Sequence, residues 1–313
     1  MVSVRYQVQN VQVLDNHGCT VVDVLREAEH ALATQHDTAC LDAEVLLAHV
    51  LCKDRAYLHA WPDKILAPDV LRRFETLVSR RVAGEPIAYI TGQQEFWSLV
   101  LAVSAHTLIP RPETELLVDL ALRKRPLHRA VRLADLGTGA GTIALAIASE
   151  RHGWQVVATD LSPQALTVAR ENAHRFALGN IEFHAGDWCS ALPYGWFDII
   201  VSNPPYVPDH DPHLIRGDVR FEPRMALAGG PDGLTAIRAI AAQAKQYLAP
   251  GGWLLLEHGF DQGPTVTDLL KCLGYERVSD HRDQRGYRRI CEGCWAAPRM
   301  LLLPRAGGDK RRP

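Results

Sequence analysis

From residue 111 onward, short apolar runs alternate with longer stretches whose apolar side chains recur at helical spacing. This alternation constrains the fold more than any other feature, because parallel strands buried on both faces need long crossover connections, usually helices. Strands are expected at residues 132–136, 155–159, 181–185, 197–202 and 253–258, with helices starting near Thr142, Pro163, Gly233 and Gln262. Residues 274–290 have room for one further hairpin. The series predicts an α/β domain whose ligands lie outside the carboxyl ends of its strands.

Upstream the periodicity differs. Between residues 20 and 83 apolar positions such as Val21, Val24, Leu25, Ala28 and Leu32 follow a helical repeat, interrupted by Pro62 and Pro68, which predicts a small helical bundle. Between residues 84 and 108 aromatic and β-branched residues dominate, with Gly92 as a breaker, and Tyr89, Ile90 and Thr91 are read with Phe96 to Val103 as a β-hairpin connector. The expected organisation is an extension over residues 1–19, a helical domain over 20–84, a hairpin linker over 85–108, a catalytic domain over 109–292 and a polar, disordered tail over 293–313. With 313 residues, two domains fit.

A formal net charge of −2 argues against dependence on a broad basic surface for nucleic acid. No apolar run approaches the roughly 20 residues needed to span a bilayer, and the N-terminus lacks the order of a signal peptide, so a cytoplasmic protein is expected. The seven cysteines are scattered and odd in number, unlike a disulfide framework. Cys291 and Cys294 form a CxxC pair with no second pair at a suitable spacing, so no metal site is expected.

The chemistry concentrates at the predicted strand ends. Asp135-Leu-Gly137-Thr138-Gly139-Ala140-Gly141 follows one strand and precedes a helix. Glycine tolerates positive φ there and lets the backbone approach a ligand, but the glycines fall at alternate positions and Thr142 occupies the third glycine site of the dinucleotide fingerprint. That spacing disfavours a nicotinamide enzyme. Asp160 ends the next strand, where a carboxylate can accept both hydrogen bonds of a ribose diol; the alternative is an exposed loop acid. Asp187 and Trp188 follow the third strand and offer a carboxylate and an indole, a pair suited to the polar edge and flat face of adenine. Taken alone, Trp188 is equally readable as a core residue, but its position at a strand's carboxyl end favours the cofactor.

Asn203-Pro204-Pro205-Tyr206 follows the apolar run that ends at Ser202. Prolines fix φ and remove backbone donors, so the loop presents oxygens that only accept. The Asn203 side-chain oxygen and the Pro204 carbonyl suit the two N–H groups of a planar NH₂, with Tyr206 against its face. A carboxamide nitrogen is a poor nucleophile because its lone pair is delocalised. Accepting both hydrogens would orient it and favour the positive charge that develops as it attacks. The motifs together predict methyl transfer from S-adenosylmethionine to an amide or amino nitrogen.

Further blocks are Gly84-Glu-Pro-Ile-Ala-Tyr-Ile-Thr-Gly92, Glu95-Phe-Trp-Ser-Leu99, Leu108-Ile-Pro-Arg-Pro-Glu-Thr-Glu115, Gly217-Asp-Val-Arg-Phe-Glu-Pro223 and Gly251-Gly-Trp-Leu-Leu-Leu-Glu-His-Gly259. In these blocks, over residues 20–290, the chain resembles the PrmC/HemK family, protein-(glutamine N5) methyltransferases acting on the Gly-Gly-Gln loop of class I peptide-chain release factors. The resemblance implies a helical N-terminal domain, a β-hairpin and a Rossmann-like, seven-stranded class I methyltransferase domain whose last strand is antiparallel. It carries cofactor binding to Gly137, Thr138, Gly139, Ala140, Gly141, Asp160, Trp188 and Asn203. It carries the catalytic and substrate loop to Asn203, Pro204, Pro205 and Tyr206. Residues 1–19 and 292–313 lie beyond the family's usual limits, and residues 111–113 are expected to be structural, near the pocket. The competing readings are a DNA or RNA amino methyltransferase, which shares Asn-Pro-Pro-Tyr, and a catalytically silent cofactor-binding adaptor. No direct nucleic-acid contact is expected.

Overall fold

In the computed structural model, which describes residues 19–33, 37–125 and 129–296, the chain divides after Thr91 into two units, each with its own apolar core. The N-terminal unit holds α1 (Val21–Leu32), α2 (Ala39–Leu51), α3 (Arg55–Ala60), α4 (Pro68–Val82) and α5 (Ile87–Thr91). Local chemistry sets their starts. Thr20 and Asp23 form a capping box on α1, Asp54 accepts from the Tyr57 N–H at α3, and Pro68 opens α4, where its missing N–H costs nothing. Val21, Leu32, Leu46, Leu47, Leu58 and Phe74 fill the core. Arg81 donates to Asp42 at 2.7 Å, a buried pair that fixes α4 to α2.

Residues 87–91 correct one expectation. Tyr89, Ile90 and Thr91 have strand-forming side chains but form α5, because Pro86 accepts from the N–H groups of Tyr89 and Ile90 and the core takes Ile90. Burial overrides β propensity here. The hairpin proper, in the second unit, is β1 (Gln93–Phe96) and β2 (Leu99–Ala102), turning at Trp97 and Ser98, both with positive φ.

The second unit continues through α6 (Glu115–Arg123), β3 (Arg132–Leu136), α7 (Thr142–Glu150), β4 (Gln155–Asp160), α8 (Pro163–Arg175), β5 (Ile181–Ala185) and β6 (Phe197–Ser202). Then follow α9 (Arg224–Leu227), α10 (Thr235–Ala244), β7 (Leu248–Glu257), α11 (Gly263–Cys272), β8 (Glu276–Arg282) and β9 (Arg288–Trp295). The seven-stranded sheet has the order β5-β4-β3-β6-β7-β9-β8, with β9 antiparallel to both neighbours. Side chains alternate between faces. Leu133, Ile199 and Val201 enter one core with α6 and α7, whereas Ala134, Leu136, Ile200, Leu254 and Leu256 enter the other with α10 and α11.

Register aligns the carboxyl ends. Leu136 pairs with Thr159 on one side and Ser202 on the other, and Ser202 pairs with Leu256, so Asp160, Asn203 and Glu257 emerge at one edge of the sheet. Strand order reverses between β3 and β6, which opens a crevice at that edge.

β7 begins five residues before the expected 253, because a register shift after the Phe197–Leu248 pair accommodates Gly251 at φ +76°. β9 runs to Trp295, past the expected domain end at 292, since Trp295 pairs with Gly252 and packs edge-on against Tyr275. Cys291 and Cys294 stand three apart on β9 and therefore face opposite sides of the sheet. Residues 1–18 of the expected extension and 297–313 of the expected tail lie outside the described residues. Among the described residues no helix is long and apolar enough to cross a membrane.

Candidate active site

The turn from β3 into α7 holds Gly137, Gly139 and Gly141 at φ +74°, +58° and +86°. Side chains rarely adopt this region, and space sharpens the requirement. A Cβ on Gly137 would stand 3.0 Å from the Trp188 ring, so glycine lets the indole lie on the turn, whereas a Cβ on Gly139 would meet nothing within 4 Å. The open side of Gly139 lines a cavity at the sheet edge.

Carboxylates hold the turn from below and beside. Buried Asp135 accepts from the Thr138 hydroxyl at 2.6 Å and the Ala144 N–H at 3.1 Å, and burial pushes its carboxyl up to about 7. Asp160 accepts from the Gly139 N–H and the Ser162 N–H, both at 2.8 Å, and burial raises its pKa as well. Asn172, fully buried on α8, donates to the Ala140 carbonyl at 2.9 Å and to the Ala102 carbonyl at 3.0 Å, and accepts from the Ala102 N–H at 2.8 Å. One amide thus joins the hairpin to the glycine turn.

Gly137, Thr138, Gly139, Ala140, Asp160, Asp187, Trp188, Asn203 and Pro205 all line this cavity. Gly141, Pro204 and Tyr206 do not. Gly141 starts α7, Pro204 is buried, and Tyr206 turns toward the second core and Glu257. Trp188 combines the two readings of the sequence, packing on that core while facing the cavity.

After β6, the Asn203 Nδ2 donates to Thr114 Oγ1 at 3.2 Å, and the Thr114 hydroxyl donates to Glu257 Oε2 at 2.8 Å. The other Glu257 oxygen, Oε1, accepts from the Tyr206 hydroxyl at 3.3 Å. Both ends of the loop therefore converge on one buried acid. Gln262 fixes the exit by donating to the Tyr206 carbonyl at 2.9 Å. Glycines back the loop: a Cβ on Gly229 would fall 2.5 Å from the Pro205 carbonyl oxygen, and one on Gly233 would fall 2.2 Å from that of Tyr206. Glu222 accepts from the Ile109 N–H at 3.0 Å and pairs with Arg111, holding the segment that presents Thr114.

Burial pushes Glu257 up to about 7, against the opposing bond from Thr114 and the charge of Arg289. Burial, and then the charge of Glu257, pushes the Tyr206 phenol well above its ordinary value, so it stays a neutral donor. Asp135, Thr114, Asn172, Glu222, Glu257 and Gln262 were given no site role from the sequence, although Asp135 heads the glycine motif and Thr114, Glu222 and Glu257 fall in quoted blocks. The available signal was a polar residue closing or interrupting an apolar run, as Glu257 does after Leu254, Leu255 and Leu256.

The cavity brings together the glycine turn, the carboxylates of Asp160 and Asp187, the Trp188 indole and the Asn203 loop. Comparison with known proteins identifies the family. The PrmC N-terminal domain model matches residues 23–92, and the methyltransferase small domain model matches residues 112–216. A release factor glutamine methyltransferase from Vibrio cholerae is 53% identical over 264 residues, covering 84% of this chain and 92% of its own. One from Coxiella burnetii is 48% identical over 271 residues, covering 87% and 97%. Among solved structures, a methyltransferase from Pyrococcus furiosus shares the fold with a TM-score of 0.50 at 20% identity, covering 70% of this chain and 98% of its own.

Proposed function

The chain belongs to the release factor glutamine methyltransferases, and from that premise we propose that Asn203, Pro204, Pro205 and Tyr206 present the acceptor glutamine of a class I release factor for methylation. The product is N5-methylglutamine in the Gly-Gly-Gln motif. The observation that carries this reading is the Asn203 amide. Asn203 lines the cavity and its Nδ2 donates to Thr114, which leaves its oxygen Oδ1 as the acceptor proposed to meet the substrate.

Pro204 is buried and not among the residues lining the cavity, but among the described residues no hydrogen bond reaches its carbonyl, which is the second acceptor proposed beside Asn203. Two acceptors match the two N–H groups of a glutamine amide and orient its nitrogen. As the nitrogen gains positive charge, both hydrogen bonds strengthen, so they stabilise the transition state more than the ground state. The methylated nitrogen keeps one N–H and loses the other proton to water, because the positive charge it gains makes that proton strongly acidic. Neither atom needs to act as a base before attack.

S-adenosylmethionine, when bound, supplies an electrophilic methyl group on a sulfonium sulfur. The residues fit it: the open face of Gly139 admits a ligand against the backbone, Asp160 and Asp187 bring carboxylates to the cavity, and Trp188 brings a flat apolar face. Asp160 keeps lone pairs free after its two backbone bonds, so a ribose diol is an available partner. Gly137, Thr138, Ala140 and Gly141 complete the turn. The helical N-terminal unit, matched by the PrmC N-terminal domain model, is the proposed recognition domain for the release factor. A protein acting on release factors works in the cytoplasm.

The test is mass spectrometry of release factor incubated with the protein and S-adenosylmethionine, using Gln, Asn or Glu at the acceptor position and duplex and single-stranded DNA as controls. One methyl group on the Gln form alone is expected. Asparagine fails because its amide stops one methylene short. Labelling of DNA, or labelling of release factor that survives loss of the glutamine, would reject the reading.

A further inference from the structure

We infer that Glu257, acting through the hydroxyl of Thr114, sets which end of the Asn203 amide faces the substrate, and so makes the pocket select an NH₂ donor over an isosteric acceptor. This inference rests on the proposed function of the loop. The two ends of an asparagine amide have almost the same shape, so packing alone does not choose between them. Here a hydrogen-bond chain makes the choice.

A carboxylate only accepts. With Oε2 taking the hydrogen of Thr114 at 2.8 Å, that hydroxyl has only lone pairs left for Asn203, and it takes Nδ2 at 3.2 Å. Oδ1 is left for the cavity. The reverse arrangement would put Oδ1 on Thr114, where a hydroxyl committed to Glu257 has no hydrogen to give. Oε1 imposes the same direction on Tyr206, whose hydroxyl donates to it at 3.3 Å. Glu257 is thus a positioning residue that aligns both ends of the loop without touching substrate.

A neutral amide at position 257 breaks this logic. In a Glu257→Gln variant one end becomes a donor. If it donates to Thr114, the Thr114 hydrogen is released toward Asn203 and the Asn203 amide turns over; if it donates to Tyr206, the phenol becomes the acceptor and its own hydrogen loses this partner. A protonated Glu257 has the same effect, and its pKa of about 7 places that change near neutrality. The groups facing it are Thr114 and Glu113 from the segment before α6, Tyr206 from the loop and Arg289 from β9, with Arg111 acting on Tyr206. Of these, Glu113 raises the Glu257 pKa and Arg289 lowers it. The adjacent His258 is turned to Asp280 instead.

The experiment uses the full chain with release factor carrying Gln or Glu at the acceptor position. Thr114→Val keeps the shape but loses the hydroxyl, and Thr114→Ser keeps the hydroxyl. Expected for Thr114→Val is a kcat loss of roughly 10²-fold, with S-adenosylmethionine affinity by calorimetry changed less than about threefold. Thr114→Ser is expected to restore most of kcat. For Glu257→Gln, the preference for binding Gln over Glu release factor should fall toward one, and the wild-type rise of kcat through pH about 7 should disappear. Wild-type kcat in Thr114→Val, failure of Thr114→Ser to recover it, or an unchanged Gln-to-Glu preference in Glu257→Gln would overturn the inference. A wild-type protein that does not methylate the glutamine at all would instead overturn the functional reading beneath it.

Discussion

Asn203 and Asp160 stand at the ends of neighbouring parts of one sheet edge, yet their side chains serve different partners. In the proposed reading Asn203 offers the acceptor nitrogen an oxygen, so Asn203→Ala should abolish nearly all turnover while S-adenosylmethionine affinity falls only modestly. Asp160 binds the Gly139 N–H and faces the cavity, so Asp160→Ala loses both the grip on the turn and the proposed ribose bonds. Its cofactor Kd should rise by about 10-fold or more. Calorimetry on the two variants checks the contrast, and equal losses in both would remove it. Asp135 supports a different prediction. Its folded pKa of about 7 lies above the ordinary 3.8, so the fold favours the proton; this contribution to stability is complete below about 4 and lost as pH rises through about 7. The Tm of Asp135→Asn minus that of the wild type should therefore grow more positive by several degrees between pH 5 and pH 8. A flat difference across that range would contradict it. Asp160 and Asn203 were legible at the sheet edge because each ends or directly follows an apolar run, and Trp188 because it lies just beyond the third predicted strand. Thr114 was not, since its partners Asn203 and Glu257 lie 89 and 143 positions away and local periodicity carries no information about them.

At the scale of elements, the hairpin β1–β2 is tied to the glycine turn proposed to hold the cofactor. Asn172 joins Ala102 of β2 to Ala140 of the glycine turn through three hydrogen bonds. Asn172→Ala leaves those backbone groups without their partner, at a cost of about 1–3 kcal/mol for each one left buried and unsatisfied. A Tm drop of several degrees together with weaker cofactor binding is expected. Asn172→Asp should do no better, because a carboxylate keeps the Ala102 N–H but repels both carbonyl oxygens. Thermal melts and calorimetry read both effects, and cofactor binding unchanged in both variants would separate the hairpin from the site. The sequence showed the strands of the sheet well because Leu133, Val157 and Ile200 belong to short apolar runs bounded by turns. It misled at Tyr89 to Thr91, where side chains that favour strands are drawn into α5 by the packing of Ile90. It also stopped β9 too early, because the burial of Trp295 against Tyr275 depends on a contact that no local pattern announces.

At the scale of the whole molecule, two units with separate cores predict separable functions. A fragment beginning at Gly92 should fold and bind S-adenosylmethionine like the full chain, but methylate whole release factor with a much lower kcat/KM, because the proposed recognition domain is gone. Equal kcat/KM for fragment and full chain would refute that role. The order of strands carries another consequence. β9, the last strand in chain order among the described residues, sits between β7 and β8, and it brings the charge of Arg289 near Glu257. During synthesis on a ribosome, the glycine turn and the Asn203 loop are therefore already made when β7, still without β9, presents an open edge, the kind of surface that invites aggregation. A premature stop codon upstream of Arg288 is expected to eliminate the protein from the cell, leaving no truncated competitor able to sequester cofactor or release factor.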